Sequence, residues 1–328
     1  MTSEGPREPR RFRVDDARAG FRVDQFLVHA GAAASAQGAR RLIAAGRVTL
    51  DGRKPRKGDR VVAGQVAEVE VDSLAATGAD DGVAPAAVLP DPGLALELIL
   101  VDSDLVGINK PAGVPSHPLQ AGERGTAANA LVARFPECAT AGGDPREAGL
   151  GHRLDRDTSG VLLAARSRPV WQRLRASLGS PDCQKCYLAE VWGDPPDDGS
   201  FDGAIGRRGR RGGRVMIGKG RNPLPAHTDW QVLERRAGST LVRARLHAGR
   251  AHQVRAHLAA AGYPILGDAL YGGDDVRAWS AERGITSLRL HAESVRVQHP
   301  VTGAPLFVVA PSPDWAKLDE DGTPRPHD

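Results

Sequence analysis

Apolar positions along the chain change period near its first quarter, and that change predicts how it is organised. Leu42 and Ile43 followed by Gly46 predict a short helix. Ser35 is placed to cap it, because a serine hydroxyl accepts a free end N–H and glycine suits the turn that stops a helix. Val48-Thr49-Leu50 before Asp51-Gly52 predicts a strand and a tight turn. Val61-Val62, and the alternation of Ala67, Val69 and Val71 with Val66, Glu68 and Glu70, complete a small half-buried sheet. These elements predict a compact unit over residues 20–72, with 1–19 as a flexible N-terminus.

Residues 73–95 have no apolar period and are rich in Ala, Gly, Asp and Pro, the composition of a linker. From about residue 96 short apolar runs alternate with glycine turns. Strands are predicted at Leu98–Val101, Leu105–Ile108, Val161–Ala165, Cys186–Trp192, Leu241–His247 and Pro305–Val309. Trp171, Leu174 and Leu178 share one face of a helix over Pro169–Leu178, and a second helix runs from about His252 to Ala261. The strand spacing is irregular and lacks a βαβ period, which argues against a doubly wound parallel sheet. The second unit closes near residue 316, and 317–328 form a polar tail.

Composition narrows the class. The 328 residues are 41% apolar and 26% charged, as in globular chains, and no stretch approaches the ~20 apolar residues of a membrane helix. MTSEGPREPRRFRV has no apolar signal region, and three cysteines make no disulfide framework, so a cytoplasmic protein is expected. The formal charge is only +4, but it is uneven. Eight basic residues between Arg40 and Arg60 face only Asp51 and Asp59, and seven between Arg207 and Arg221 face no acid. Such clusters suit a polyanion, although a solvated loop has the same composition.

The most informative stretch is Gly151-His152-Arg153-Leu154-Asp155-Arg156-Asp157-Thr158-Ser159-Gly160, set before the apolar Val161-Leu162-Leu163. It holds a carboxylate at the rim of a core with arginines in reach, which also describes an ion-paired turn. Other segments stand beside it: Asn109-Lys110-Pro111-Ala112-Gly113, Ser116-His117-Pro118, Lys185-Cys186-Tyr187-Leu188-Ala189-Glu190-Val191 and Gly249-Arg250-Ala251-His252-Gln253-Val254-Arg255. Alternation puts Lys185, Tyr187, Ala189 and Val191 on one strand face. Pro264–Asp268, Tyr271-Gly272 and Leu290-His291-Ala292 follow. Cys183-Gln184-Lys185-Cys186 is a lone C-x-x-C with only Cys138 to complete a metal quartet, and no Walker loop or dinucleotide fingerprint is present. No metal and no cofactor is expected.

Taken in order from about Leu98 to Trp315, these segments resemble the RluA-type family of RNA pseudouridine synthases, with HRLDRDTSG as the signature. Residues 20–72 resemble the small RNA-binding domain named after the fourth protein of the small ribosomal subunit, through Arg41-Leu42-Ile43, Gly46, Val48, Gly52 and Gly64. The resemblance implies an α+β fold with a mixed, mostly antiparallel sheet. It also implies an isomerase that turns uridine into pseudouridine in structured RNA, ribosomal in preference to transfer RNA, acting as a monomer. Asp155 falls on the catalytic carboxylate of the motif, and Arg255 on the arginine that pairs with it, with Arg250 in the same motif. Tyr187 falls on the pocket tyrosine, and Arg153 on the arginine that supports the space left by a flipped nucleotide.

Arg40, Arg41, Arg53, Lys54, Arg56 and Lys57 on the small unit, and Arg207, Arg208, Arg210 and Arg211 on a glycine-rich basic arm, are expected to meet phosphates. Ala251 stands where the motif has Thr, removing a helix cap. Ala36 and Gly38 depart from the small domain's helix pattern. Two other classes stay open from the residues alone. One is a non-catalytic RNA-binding factor, against which Asp155, Tyr187 and Arg255 speak. The other is a metal-dependent hydrolase using His152, Asp155 and Asp157, which one short loop suits poorly.

Overall fold

The computed structural model describes residues 9–33, 36–56, 58–70, 88–120, 122–207, 213–246 and 249–318. The chain divides into two compact units, Met1–Ala84 and Pro85–Asp328.

In the first unit β1 (Arg10–Arg13), α1 (Val23–His29), α2 (Ala36–Ala44), β2 (Val48–Leu50) and β3 (Val66–Val69) follow in order. The antiparallel sheet runs β1-β3-β2. Alternation explains it: Ala67 and Val69 are fully buried, while Glu68 faces out to Arg11. Phe26, Leu27, Leu42 and Val48 close the core. Two details differ from the pattern read along the chain. Arg10–Arg13, read as flexible N-terminus, is the edge strand β1, too short and too arginine-rich to show a period. Val61 is a core residue outside any strand, with Val62 exposed beside it. Ser35, Lys57 and residues 71–87, most of the proposed linker, lie outside the described residues.

The second unit contains β4 (Glu97–Val101), β5 (Leu105–Lys110), α3 (Ala127–Arg134), β6 (Ser159–Ala165), α4 (Arg168–Gly179), β7 (Gln184–Trp192) and β8 (Asp198–Asp202). It continues with β9 (Ile205–Arg207), β10 (Val215–Ile217), β11 (Arg221–Leu224), β12 (His227–Arg236) and β13 (Ser239–Leu246). α5 (Gln253–Ala260), α6 (Gly273–Glu282), β14 (Leu290–Gln298) and β15 (Pro305–Val309) complete it. One nine-stranded sheet runs β4-β5-β6-β14-β7-β13-β12-β8, with β15 also on β14. Every pairing in it is antiparallel except β6 with β14, so the fold is α+β with a mixed, mostly antiparallel sheet.

β6 explains the sheet's position. Its run Val161–Ala165 is buried throughout because both faces are covered. Leu162 and Ala164 pack with Leu131 of α3, while Val161 and Leu163 pack with Leu174 and Leu178 of α4. Gly160, at φ 111°, lies so close to β14 that a Cβ would come within 2.2 Å of the Ala292 carbonyl oxygen. The signature's glycine is therefore what lets its strand join the sheet.

α3 was invisible to amphipathic spacing because Ala127, Ala128, Ala130, Leu131 and Val132 bury it on all sides, while Thr126 and Asn129 form its capping box. The basic arm is also more ordered than its glycines suggest: β9, β10 and β11 form a three-stranded antiparallel sheet. Arg207 is the last residue of β9, and Arg208, Arg210 and Arg211 lie outside the described residues, as does most of the tail from 319.

Candidate active site

A cleft of about 1000 Å³ opens in the second unit, and Arg153, Asp155, Tyr187, Arg250 and Arg255 all line it. These five come from the loop before β6, from β7 and from the start of α5, so the sheet assembles what the chain spreads over about 100 positions.

The loop that presents Asp155 is clamped by the two upstream motifs. Lys110, fully buried at the end of β5, donates from Nζ to the carbonyls of Pro111, Val114 and Arg156 at 2.8, 2.7 and 2.9 Å. Burial pushes this ammonium down to about 8, against the pull of Asp157 and Asp155. The Ser116 hydroxyl accepts from the Leu154 N–H at 3.0 Å and donates to the Leu154 carbonyl at 2.8 Å. Arg156 Nε donates to the Gly113 carbonyl at 2.9 Å. Asn-Lys-Pro-Ala-Gly and Ser116 thus hold the loop, while His117 and Pro118 line the cleft.

Arg255 Nη1 donates to Asp155 Oδ2 at 2.8 Å. The other edge of the same guanidinium is gripped by Asp268, with Nε and Nη2 at 2.7 and 2.8 Å from its two oxygens. Asp268 is buried and also accepts from the backbone N–H groups of Leu270 and Tyr271. Burial raises the Asp268 carboxyl, but the Arg255 hydrogen bond and charge outweigh it and hold it below the usual range. Burial likewise opposes the Arg255 charge, and Asp268 and Asp155 more than offset it. The geometry is a fork pinned at one end, which fixes the cation that faces Asp155.

Around this pair, His252 Nε2 lies 3.6 Å from Asp155 Oδ1. Burial depresses the imidazole despite Asp155, so it is neutral. Tyr271 accepts from the Val215 N–H at 2.8 Å and its hydroxyl lies 3.1 Å from His252 Nδ1. Val215 belongs to β10, so the basic arm is tied to the site. His252, at φ 54°, occupies the capping position of α5 where no side chain caps. Gln253 ties the segment before the helix to β12: its Oε1 accepts from the Arg250 N–H at 3.0 Å and its Nε2 donates to the His227 carbonyl.

Tyr187 is half-buried between Ala244 of β13 and Ala292 of β14, two small neighbours. Burial, then Asp155, pushes its phenol above the usual range, so it stays protonated. Arg153 is exposed at the cleft and makes no ion pair with Asp157 among the described residues.

The small unit's cations are more tied down than their sequence implies. Arg40 donates to the buried Asp24 at 2.7 Å, and Arg53 pairs with Asp59 at 3.0 Å. Arg41, Lys54 and Arg56 are exposed.

Of the cysteines, Cys138 and Cys183 are buried in different cores, and burial pushes Cys138 up to about 12. Asp102, Asp104 and His299 are the one described group with metal-type spacing, but outside the cleft. Their atoms serve turns: His299 Nδ1 accepts from the Val301 and Thr302 N–H groups, and Asp102 Oδ1 from those of Asp104 and Leu105.

Sequence reading had named Lys110 and Asp268 within motifs without roles, and had left Lys185 as one member of an alternating face. The signal for Asp268 was present: an Asp two and three residues before backbone N–H groups it accepts is an Asx-turn pattern.

Buried neutral histidines set a pH dependence. Burial pushes His291 down to about 4, and burial with Lys185 and Arg175 pushes His152 to about 3. Both are depressed from ~6.5 in the unfolded chain, so stability is full above pH ~6.5 and falls toward the folded values, by up to about 1.4 kcal/mol per pH unit for each. Melting temperature is expected to drop between pH 6.5 and 5, with a shallower slope in His291→Gln. Equal slopes would refute the assignment of His291.

A mixed sheet that brings Asp155, held by a pinned arginine, into a cleft also lined by Arg153, Arg175, Lys185 and Arg250 makes a site suited to chemistry on a polyanion. Residues 104–260 match the family model described as RNA pseudouridylate synthase, and residues 21–66 match the S4 domain. The chain is 33% identical over 313 residues to ribosomal large subunit pseudouridine synthase D of Vibrio vulnificus, covering 92% of this chain and 90% of that protein. It is 34% identical over 308 residues to the protein of that name from Xanthomonas campestris pv. campestris, covering 92% and 88%. Among solved structures, human RNA pseudouridylate synthase domain containing 1 superposes with a TM-score of 0.51 at 26% identity, covering 70% of this chain and 87% of that one. The chain belongs to the RNA pseudouridylate synthase family and is an isomerase with an N-terminal S4 domain. Among the described residues no helix is long and apolar enough to cross a membrane.

Proposed function

We propose that this enzyme isomerises uridine to pseudouridine in large-subunit ribosomal RNA, with Asp155 as its single catalytic carboxylate. The observation that carries the mechanism is the Asp155–Arg255–Asp268 chain of charge-assisted hydrogen bonds at the cleft. The reaction detaches uracil through N1, turns it and rejoins it through C5, with no redox step and no net hydrolysis. It therefore requires no cofactor. Asp155 relieves the electron deficit at C1′ by bonding to it or by taking the C2′ proton. Arg255 keeps the carboxylate ionised and aimed. The target base leaves its stack at a cost of a few kcal/mol, and stacking on Tyr187 returns about 1–3 kcal/mol. Arg153, exposed and unpaired with Asp157, is free to support the vacated space, and Arg250 to contact the same RNA.

The small domain's Arg41, Lys54 and Arg56, with Lys57, meet the phosphate backbone, assisted by Arg40 and Arg53. The arm's Arg207, Arg208, Arg210 and Arg211 do the same. The enzyme works as a cytoplasmic monomer. The ribosomal target follows the names of the relatives; the test is tritium release from C5-labelled uridine in protein-free large-subunit RNA, with transfer RNA in parallel. Release from ribosomal RNA alone is expected, and release from transfer RNA alone would overturn the assignment of substrate.

A further inference from the structure

Lys185 and Tyr187 leave the same face of β7 about 7 Å apart. Lys185 is nine-tenths buried and lines the cleft. Its ammonium has three protons to place, yet its one hydrogen bond among the described residues is to the Leu178 carbonyl, at 3.4 Å. The charges acting on it are the Cys183 thiol, Arg175 and Arg250, with no carboxylate among them. Lys110, fully buried, satisfies all three protons on carbonyls at 2.7–2.9 Å, which shows how this fold treats a structural lysine. A buried ammonium left under-satisfied is costly unless a ligand supplies the acceptor. The wall beside it has been left open: a Cβ on Gly249 would stand 3.3 Å from Lys185 Nζ.

His152 stands near it. Its Nε2 accepts from the Leu163 N–H at 3.1 Å, so in the neutral ring Nδ1 carries the proton. His152 lines the cleft, and Nδ1 has no acceptor among the described residues. Its strongly depressed pKa keeps it a neutral donor across the working pH range.

We propose that Lys185, with the His152 Nδ1–H beside it, forms an oxyanion pocket that binds a uracil carbonyl oxygen and holds the negative charge of the detached base. When the C1′–N1 bond breaks, its electron pair leaves with the base and spreads over N1, O2 and O4. Asp155 satisfies C1′ meanwhile, either by a bond that breaks as C5 attacks, its electron pair returning to the carboxylate, or by taking the C2′ proton, which later returns. The same pair then forms the C1′–C5 bond, C5 releases its proton and N1 takes one up. Nothing is oxidised and no atom is lost. A free uracil anion has to turn between these steps without escaping, and a fixed cation at its carbonyl edge allows that. A backbone phosphate is the other anionic group of this substrate, but the exposed Arg175 of the cleft lining suits that, while Lys185 is nine-tenths buried on the strand face of Tyr187.

The inference rests on Asp155 opening the glycosidic bond, so Asp155→Asn is assayed alongside; activity in that variant would sink the Asp155 reading by itself. The deciding variant is Lys185→Met in the full chain, on RNA carrying uridine or 5-fluorouridine at the target, followed on both by cleavage of the C1′–N1 bond because C5 of 5-fluorouridine has no proton to release. Fluorine makes the base a better leaving group and reduces the need for help. The single-turnover rate on uridine is expected to fall about 100-fold with RNA affinity unchanged. The deficit on 5-fluorouridine is expected to shrink to about tenfold or less. Melting temperature is expected to hold or rise, since a buried unpaired charge is gone. An unchanged rate, equal deficits on both substrates, or a fall in melting temperature with proportionate loss would overturn it. A rise in KM alone, with the salt slope smaller by about one, would assign Lys185 to a phosphate instead. Should Lys185→Met not fold, Lys185→Gln decides: it keeps a polar donor of similar reach but removes the charge, and a wild-type rate there overturns the proposal.

Discussion

Replacing Asp155 with Asn is expected to slow pseudouridine formation by about 10,000-fold or more while leaving RNA affinity and melting temperature close to wild type. The amide is isosteric and still accepts a hydrogen bond from Arg255 Nη1, so the cleft keeps its shape. It neither attacks C1′ nor takes a proton from C2′, so both routes through the sugar close. Arg255 is not left unpaired, because Asp268 holds its Nε and Nη2. Tritium release from C5-labelled RNA under single-turnover conditions measures the loss. Equal release by variant and wild type would show that another group opens the bond.

The second large effect belongs to Arg255. Arg255→Met leaves the Asp268 carboxylate, whose side chain is fully buried, without its cation. Breaking a buried pair from one side costs about 3–5 kcal/mol, which lowers the melting temperature by on the order of 10 °C in a unit of this size. Activity is lost as well, since Asp155 loses its orienting partner. Adding Asp268→Asn removes the stranded charge while its side-chain oxygen still accepts from the Leu270 and Tyr271 N–H groups. Most of the lost stability is then expected to return with no activity. Recovery of both together would make Arg255 a structural residue only; recovery of neither would place the cost outside the Asp268 pair. Thermal melts beside the tritium assay separate these outcomes.

Much of the candidate site was legible because its chemistry is local. Asp155 and Arg153 sit in one continuous motif, Tyr187 follows from alternation on a strand, and Arg255 opens a helix whose start was visible at Gly249. The strands at Leu98, Leu105 and Val161 were readable because apolar runs bounded by turn residues need no partner to be seen. α3 was not, since a helix buried all round has no amphipathic stripe, and β12 was not, since its ten residues mix charged and apolar positions across a bulge. The arm misled in the other direction: glycine and arginine suggested loose chain, yet β9, β10 and β11 pair, and the Val215 N–H reaches Tyr271.

By itself, then, the order of residues determined the class of the protein, the candidate carboxylate Asp155 and the strand face that carries Lys185 and Tyr187. Those properties depend on residue type and on a period of two or of 3.6, which are written within a few neighbours. Only the tertiary structure decided what holds them. Lys110 clamps a loop 46 positions away, Asp268 pins the arginine that meets Asp155 across 100, and Gly160 admits β6 beside β14. Each of these is a matter of ångströms between segments far apart in the chain, set by sheet register and packing rather than by any local pattern. The same physics left Lys185 buried with no acid beside it among the described residues, a fact that its place in the motif did not contain.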